Sequence, residues 1–584
     1  MISKECKKLT LSDLLLYSSL FLLFNILCVV LLTSVIWFFG ISITSAHYII
    51  GVVISILPQF VLIKRNGVNF SIFPLSVLIP LIFTAAMIFI SAQFFDYSFD
   101  SMAYHKMAIG LMADGWNPVS EGSSEFISVM NIFPDMNPDV QALWLDHYAK
   151  LPWIFSATLY KIVGNIEAVK ILPAIMVFVT FSFTYAYTKT KWAAPLSLLF
   201  SFAAALTPVV FTQFFTFYID GILASSLTVL VILLVMITDG KCHIEKSIKW
   251  ISLFIIIAII TNIKFTGLAY AAVFSLVFYI FWLACDLAKK RFNKSKTIKI
   301  TAFFAIAVVF SLCIVGYSTY VKNTIEHGFP LYPLMGENSV DIMKSNQPDS
   351  FAVRSPKGKL FLSTFSECSN KVKDEPKIKN PFTFTKKELD HYCADTRISG
   401  FGVLYGAIII ISAVSFVFSL PFLYYKNKKM FLIVLMLLLT TSALLLLISD
   451  SWWARYSPHY YFIPLTALFV LIDIAVNRPK NIIKFISSSS ALILAGFILF
   501  NLGTYFYKYI TMENDFLYEQ LDETKNKLSG KSIELYINNR YYVGVLYNLR
   551  DFGIDFYVSR TELPNSEKIP LECSNITYRI INQD

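Results

Sequence analysis

The sequence predicts an all-α membrane protein with about thirteen transmembrane helices, and three observations lead to this prediction. Hydrophobic residues make up 56% of the 584 positions and charged residues only 15%, which leaves too little polar surface for a water-soluble protein. Apolar runs long enough to cross a bilayer recur along the chain. Clusters of lysine and arginine separate many of these runs, as in proteins whose loops alternate between the two sides of a membrane.

Thirteen apolar runs are counted as transmembrane helices because each has about 16–26 residues, close to the length that crosses the hydrocarbon core. They lie near 14–39, 47–63, 71–93, 166–187, 193–211, 218–237, 248–263, 266–285, 299–321, 402–424, 430–448, 459–477 and 484–506. The first run follows a basic N-terminus, like a signal peptide, but is too long for one and is predicted to be retained.

Loop charge predicts the orientation of these helices. With the N-terminus in the cytoplasm, most basic residues fall inside, as the positive-inside rule requires. They are Lys64, Arg65, Lys189, Lys191, Lys241, Lys246, Lys249, the Lys289–Lys299 cluster, Lys426, Lys428, Lys429, Arg478, Lys480 and Lys484. The short outer loops then keep only Lys264 and Arg455. We therefore expect a bacterial inner-membrane protein with periplasmic loops at about 94–165 and 322–401 and a periplasmic C-terminus.

The chain divides into a transmembrane domain over 1–506, which includes both long loops, and a C-terminal periplasmic appendage over 507–584. Residues 515–528 have the pattern of an amphipathic helix, and 532–537 and 541–545 read as short strands, so the appendage is predicted to be a small α/β unit. Cys368 and Cys393 share one outer loop in an oxidising compartment, which makes them candidates for a disulfide.

The first outer loop carries the most distinctive polar pattern. Asp96 and Asp100 lie four residues apart, so one helical turn would place both carboxylates on one face. Such a pair suits a general base, or a site for a divalent metal ion such as Mg²⁺ or Mn²⁺ that neutralises a phosphate. A structural alternative also fits, in which Asp96 caps the helix and Asp100 is a solvated residue.

Arg455 and Lys264 are the other candidates, because cations in the short outer loops could bind a lipid-linked phosphate. A basic residue at the end of a transmembrane helix also serves as a simple anchor, so this alternative stays open. Aromatic residues near these positions offer faces for a sugar ring: Tyr332 in the second long loop, and Trp452 and Trp453 before Arg455.

In order and placement these elements resemble the polyprenyl-phosphate-dependent glycosyltransferases of the GT-C fold. The matching elements are Asp96 and Asp100 followed by Tyr104, His105 and the 115–118 segment Gly-Trp-Asn-Pro, then Lys-Phe-Thr-Gly at 264–267, Gly-Phe-Pro-Leu-Tyr-Pro at 328–333, and Arg455-Tyr456 before a late transmembrane run. One departure is that three transmembrane runs precede the acidic loop here, whereas many members have one.

The resemblance implies an inverting transfer of a sugar from an undecaprenyl-phosphate donor to a lipid-linked glycan or another cell-surface acceptor at the periplasmic face. It assigns Asp100 or Asp96 as the base and Arg455 with Lys264 as the partners of the leaving phosphate. Tyr104, His105, Tyr332, Trp452, Trp453, Tyr456 and His459 are candidates for substrate binding. The implied partners are the donor, the acceptor and the lipid bilayer, with no nucleic acid.

Two other classes of membrane protein remain as alternatives. An O-antigen polymerase or ligase would join preassembled oligosaccharides, but we expect it to use outer-loop arginine and histidine more than acids. A flippase or transporter of lipid-linked sugars would need a polar central cavity, and the apolar runs contain almost no charges to line one. A nucleotide-sugar enzyme is disfavoured because no glycine-rich phosphate loop is present.

Overall fold

The computed structural model describes residues 9–240, 242–477, 482–511, 515–528, 531–537, 542–571, 574 and 576–582. Within these ranges, eleven helices are long and apolar enough to cross a membrane. They are Leu11–Trp37, Ser45–Asn66, Ile72–Ser91, Ile166–Lys189, Asp220–Thr238, Phe265–Ala288, Lys294–Val315, Tyr405–Lys426, Lys428–Leu447, Pro458–Asn477 and Ile482–Phe506. The predicted all-α fold with many transmembrane helices is confirmed.

Two of the thirteen predicted runs form shorter helices. The run at 193–211 is interrupted: one helix covers Ala194–Ala205 and another Pro208–Thr212. Proline disfavours the helical conformation in the residue before it, and Thr207 is accordingly extended, with ψ of 156°. The run at 248–263 forms Lys246–Thr261, which at 1.5 Å per residue is about 24 Å long, shorter than the ~30 Å hydrocarbon core.

Both long loops contain short helices. The first contains Ser101–His105, which is a π-helical turn, and Lys106–Asp114, Ser123–Met130, Ala142–His147 and Leu151–Val163. The second contains Lys322–His327, Asp349–Phe351, Pro356–Phe365 and Lys386–His391. Two 3₁₀ turns, Ala454–Tyr456 and Pro458–Tyr461, precede the helix Phe462–Asn477.

Segments predicted to share a side of the membrane contact one another. At one end of the bundle the Lys191 ammonium lies 2.6 Å from an Asp239 carboxylate oxygen, and the Ser247 hydroxyl donates to the Asn66 side chain at 2.8 Å. Both long loops meet at the other end, where Arg455 lies. The helix Asp220–Thr238 joins the two ends over about 28 Å, close to one bilayer thickness.

The C-terminal appendage contains helices and a four-stranded sheet, which confirms the predicted α/β character. Its central strand Lys531–Ile537 pairs in parallel with Phe556–Val558 and antiparallel with Ile576–Asn582, which also pairs with Ile569–Pro570. A helix covers Asp515–Leu528. The strand predicted at 541–545 is wrong in its described part, because a helix covers Val545–Asp551. All five residues from Val545 to Leu549 are buried, so this helix is enclosed on every side over more than one turn.

Candidate active site

Arg455 lies at the centre of a buried group of charged side chains. Its Nε is 2.8 Å from Asp220 Oδ2, its Nη1 is 2.7 Å from Asp395 Oδ1, and its Nη2 pairs with Asp100 Oδ2. The side chain of Arg455 is only 8% exposed. One guanidinium therefore joins three carboxylates that come from three separate segments of the chain.

Two more cations complete this group. Lys264 Nζ is 2.7 Å from Asp220 Oδ1, and Arg397 Nη1 is 3.2 Å from Asp395 Oδ2. We call Asp100, Asp220, Lys264, Asp395, Arg397 and Arg455 the Arg455 cluster. Its three carboxylates balance its three cations, which offsets part of the large cost of removing charges from water.

Aromatic rings enclose the two central cations. The Arg455 guanidinium carbon lies 4.5 Å from the centre of the Tyr218 ring and 5.3 Å from the Trp453 ring, and Lys264 Nζ lies 4.1 Å from the Tyr456 ring. These distances are within the range of cation–π attraction. The rings hold the cations in place and exclude water from the salt bridges.

Burial and charge act in opposite directions on the cluster. Burial lowers the pKa of Arg455, but the carboxylates of Asp100, Asp220 and Asp395 raise it well above the ordinary value, so the guanidinium stays charged. Burial raises the pKa of Asp395, and this effect exceeds the opposite effect of Arg455 and Arg397. Asp395 is thus a carboxyl group whose affinity for a proton is increased at the edge of a cavity.

That cavity has a volume of about 490 Å³, within the range of about 300–1,000 Å³ that is usual for ligand pockets. Tyr218 and Asp395 belong to both the cavity and the contacts of Arg455. Phe99 and Phe215 contribute apolar surface, and Asn370 contributes an amide. A ligand that combines polar and apolar parts would fit beside the charged cluster.

Four members of the cluster lie at or beside helix ends on one side of the bundle, and Asp395 and Arg397 reach it from the second long loop. Lys264 precedes the helix Phe265–Ala288, and Asp220 is the first residue of the helix Asp220–Thr238, where the helix dipole favours a carboxylate. Asp100 directly precedes the π-helical turn, and Arg455 lies in the turn Ala454–Tyr456. Helix ends place these charges outside the apolar core of the membrane helices.

Asp96 lies close to this site but has different contacts. Its carboxylate accepts hydrogen bonds from the backbone N–H groups of Ser98 at 3.0 Å and Phe217 at 2.6 Å, and from the Ser101 hydroxyl. Asp96 is also buried, with 2% of its surface exposed. These bonds tie the first loop to the segment before Asp220, so the structure places Asp100, and not Asp96, against Arg455.

Tyr104 and His105 lie in the π-helical turn that directly follows Asp100. Trp153 Nε1 donates to His105 Nδ1 at 2.7 Å, and burial lowers the pKa of His105 to about 4, so its imidazole is neutral near pH 7. The Tyr104 ring contacts His105 and packs edge-on against Tyr148, with the two tyrosine ring centres 6.0 Å apart. Burial, followed by the charge of Asp100, raises the pKa of Tyr104 well above its ordinary value.

The other predicted aromatic residues differ in their distance from Arg455. Trp453 and Tyr456 contact its guanidinium, and Trp452 stacks on Trp453 with 2% of its surface exposed. The His459 ring lies 4.9 Å from the Tyr270 ring, and the Tyr270 hydroxyl donates to the Tyr456 carbonyl at 2.7 Å. Tyr270 therefore connects His459 to the aromatic residues around Arg455. The ring contacts of Tyr332 are with His147 and His327, outside the cluster.

Sequence reasoning missed Tyr218, Asp220, Asp395 and Arg397. An acidic residue at the start of an apolar run is an ordinary helix N-terminus, so Asp220 gave no distinct signal. Asp395 and Arg397 stand two residues apart in a long loop without a motif. Asp220 and Lys264 lie at the outer ends of different transmembrane runs, and this shared placement of opposite charges could have linked the two.

One group with metal-binding spacing occurs among the described residues: His147, Glu326 and His327 have ligand atoms within 4.8 Å of one another. It lies beside Tyr332. The metal site predicted at Asp96 and Asp100 stays a prediction. Cys368 and Cys393 both lie near Tyr392, and their pairing in a disulfide also stays a prediction.

Comparison with known proteins gives no family assignment: no family model matches the chain, and no curated protein does. Among solved structures, the fold is similar to ArnT from Cupriavidus metallidurans in the apo state, at 11% identity and a TM-score of 0.42, covering 82% of this chain and 85% of that one. It is also similar to ArnT from the same organism bound to undecaprenyl phosphate, at 11% identity and a TM-score of 0.44, covering 83% and 86%. Similarity at this level carries no argument about function, which therefore rests on this chain's own residues.

Proposed function

We propose that this chain is a membrane glycosyltransferase of the GT-C type, which moves a sugar from an undecaprenyl-phosphate donor to a hydroxyl group of a glycan or glycolipid acceptor. The observation that carries the proposal is the ion pair between Asp100 and Arg455 inside a buried charged cluster beside a cavity of about 490 Å³. Such a transfer needs a carboxylate for the acceptor and a cation for the phosphate, and this site offers both.

The proposed reaction is a single displacement. The acceptor oxygen attacks the anomeric carbon of the sugar, and its proton passes to the Asp100 carboxylate. The bond from that carbon to the phosphate oxygen breaks, and its electron pair leaves with the phosphate. Arg455 and Lys264 stabilise the charge that develops there. Because attack and departure take place on opposite faces, the transfer inverts the anomeric configuration.

Arg455 must exchange partners for this reaction, since three carboxylates already occupy its guanidinium. The side chain of Asp220 is fully buried and also pairs with Lys264, whereas that of Asp100 is 13% exposed. We propose that the donor phosphate takes the place of Asp100 on the guanidinium. The released carboxylate is then available as the base only when donor is bound.

The remaining parts of the substrates fit the surroundings. Tyr218 lines the cavity and its ring lies 4.5 Å from the Arg455 guanidinium, so it can pack against a sugar there. Phe99 and Phe215 supply apolar surface in the cavity, and exposed apolar faces of the membrane helices can cover the polyprenyl chain. We further propose that the cluster faces the periplasm of a bacterial inner membrane.

A divalent ion at Asp96 and Asp100 is testable separately. In the described structure Arg455 occupies the Asp100 carboxylate, and three donors occupy that of Asp96. We propose that Arg455 supplies the positive charge at the phosphate. Activity that falls after treatment with EDTA and returns with Mg²⁺ or Mn²⁺ would contradict this part of the proposal.

The experiment is transfer of radiolabelled sugar from synthetic undecaprenyl-phosphate donors, with acceptor lipid supplied, in membranes that contain the wild type or a variant. Asp100→Asn keeps the size of the side chain, and we expect it to lower the rate by about 10²-fold or more because the base is lost. Asp139→Asn is the matched control, since Asp139 is an exposed acid in the same loop.

The outcomes separate the candidate functions. Transfer that Asp100→Asn abolishes and Asp139→Asn preserves, at equal protein levels in the membrane, would support the proposal. Transfer that Asp100→Asn leaves intact would show that another carboxylate is the base, and Asp395 would be the next residue to replace. Transfer of preassembled oligosaccharides alone would favour a polymerase or ligase, and movement of the lipid-linked sugar without transfer would favour a flippase.

A further inference from the structure

A second cavity, of about 330 Å³, lies at the end of the bundle opposite the Arg455 cluster. Two helices establish its position. Asp220 begins the helix Asp220–Thr238, and Asp239, the next residue after its end, lines the cavity. Lys264 precedes the helix Phe265–Ala288, and Trp282 of that helix lines the cavity about 27 Å further along. The two sites are therefore separated by about one hydrocarbon thickness.

The cavity is basic. Among the described residues, Lys246, Lys249 and Lys296 line it together with one acid, Asp239. The carboxylate of Asp239 already has partners: Lys191 at 2.6 Å and the Tyr187 hydroxyl at 3.0 Å. Its charge is thus compensated from outside the cavity, and the lysines keep an excess of positive charge.

Two of these lysines lack an ion pair. Lys296 pairs with Asp286 at 3.2 Å, but across the described part of the chain no carboxylate pairs with Lys246 or Lys249. Lys249 is only 7% exposed. A buried ammonium without a carboxylate is costly, and an anionic ligand in the cavity would remove that cost.

The lining changes from polar to apolar in one direction. The lysines lie towards the end of the bundle, and residues about one or two turns deeper in the same or adjacent helices are apolar. The deeper residues include Leu253, Phe278 and Phe304. Between the two levels lies Trp282, whose ring is 4.4 Å from Lys296 Nζ. Tryptophan is enriched at this depth, between the headgroups and the hydrocarbon core.

We propose that this cavity binds a membrane lipid with an anionic phosphate headgroup, and specifically an anionic glycerophospholipid of the leaflet opposite the Arg455 cluster. The phosphate would bind Lys246 and Lys249, and the start of an acyl chain would lie against the deeper apolar residues. A soluble phosphate would leave the apolar part unfilled, and a zwitterionic lipid would leave the excess charge uncompensated. In the predicted topology this is the cytoplasmic leaflet, which carries anionic lipids.

The test is native mass spectrometry of the purified full-length protein in detergent, titrated with phosphatidylglycerol or phosphatidylcholine. We expect phosphatidylglycerol to bind more tightly. Because one lysine near a membrane surface contributes about a fivefold preference for anionic lipid, Lys246→Gln should reduce the preference about fivefold. Lys246→Gln with Lys249→Gln should reduce it by about 25-fold.

The matched control is Lys289→Gln with Lys294→Gln, which removes two exposed lysines at the same end of the bundle but outside the cavity. Lys246 is exposed, so its single variant keeps the test valid even if replacement of the buried Lys249 impairs folding. An equal loss of preference in the control would overturn the proposal, because general surface charge would then explain binding.

Two further titrations distinguish the source of the phosphate. Soluble glycerol phosphate that competes at equal concentration would show a site for a free phosphate compound and overturn the lipid assignment. Undecaprenyl phosphate that binds here in preference to phosphatidylglycerol would show a second site for the donor lipid and would also overturn it. Neither result depends on glycosyl transfer, so the proposal stands or fails independently of the proposed function.

Discussion

Arg455 contacts three carboxylates through three different nitrogen atoms, which the single ammonium of a lysine cannot reproduce. We predict that Arg455→Lys lowers kcat by about 10²-fold or more, because it weakens phosphate stabilisation and leaves buried carboxylates without a partner. Arg397→Lys should cost less, since Asp395 is its one carboxylate partner among the described residues and its other hydrogen bonds go to neutral groups of Asn370 and Asn346. Steady-state kinetics of both variants test this prediction, and equal losses would contradict the central role of Arg455.

The residues that sequence analysis could and could not identify differ in a physical way. Lys264 and Arg455 were found because a cation in a short outer loop departs from the usual charge distribution. Asp220 was not found, because a carboxylate at a helix N-terminus has an ordinary structural explanation. Asp395 reaches Arg455 only through the packing of a long loop, and no local pattern in the sequence encodes that contact.

At the scale of elements, the C-terminal appendage holds the loop that carries Asp100. The Gly544 N–H donates to the Met102 carbonyl, inside the π-helical turn, at 2.7 Å. Asn548 of the helix Val545–Asp551 then reaches into a buried ion pair, with its amide 3.0 Å from Lys106 Nζ and 2.8 Å from Glu167 Oε1. The appendage therefore fixes a turn that begins one residue after Asp100.

We predict that Gly544→Ala lowers kcat more than it changes KM, because a Cβ at this position would lie 2.8 Å from the Met102 carbonyl oxygen and displace the turn. Gly503→Ala is the matched control, since its Cβ would meet no atom within 4 Å. Kinetics at equal membrane levels provide the measurement. If both variants kept the wild-type kcat, the contact would have no role in positioning Asp100.

Asp551 should make the docking of the helix Val545–Asp551 onto the transmembrane domain dependent on pH. Burial raises the pKa of Asp551 to about 6. The Tyr160 hydroxyl and the Ile166 N–H donate hydrogen bonds to its carboxylate, the latter at 2.6 Å, and these bonds lower the pKa by less than burial raises it. The docked helix therefore retains a proton that an undocked carboxyl, with a pKa of about 3.9, would release. Docking should be strongest below about pH 4, weaken as the pH rises to about 6, and change little above that.

Hydrogen exchange of the helix Val545–Asp551, corrected for the intrinsic effect of pH, tests this prediction. We expect protection to fall between about pH 4 and 6 in the wild type and to be independent of pH in Asp551→Asn, which cannot ionise. Protection that rises with pH in the wild type would show that the hydrogen bonds to the carboxylate outweigh its burial.

Elements were predicted best where one physical effect dominates. Membrane helices follow from runs of apolar residues, since backbone groups in lipid must bond within their own segment. The run at 193–211 was interrupted because Pro208 prevents a helical Thr207, and hydropathy does not register this effect. The 541–545 segment was predicted as a strand from its residue types, yet burial against the first loop favours a helix from Val545.

At the scale of the whole molecule, charge separates the two ends of the bundle. One end carries the balanced Arg455 cluster and both long loops, and the other carries the lysine-lined cavity and its excess of positive charge. The positive-inside rule assigns the second end to the cytoplasm. The proposed function depends on this assignment, because a periplasmic cluster would receive its donor only after the lipid-linked sugar has crossed the membrane.

We predict that a membrane-impermeant maleimide labels Val353→Cys but not Phe292→Cys in intact cells, when each is introduced into a variant without its native cysteines. Val353 is 90% exposed in the second long loop, and Phe292 is 51% exposed between two helices at the lysine-rich end. Both positions should react once the cells are permeabilised, which controls for accessibility. Labelling of Phe292→Cys alone in intact cells would invert the topology, place the Arg455 cluster in the cytoplasm and contradict transfer at the periplasmic face.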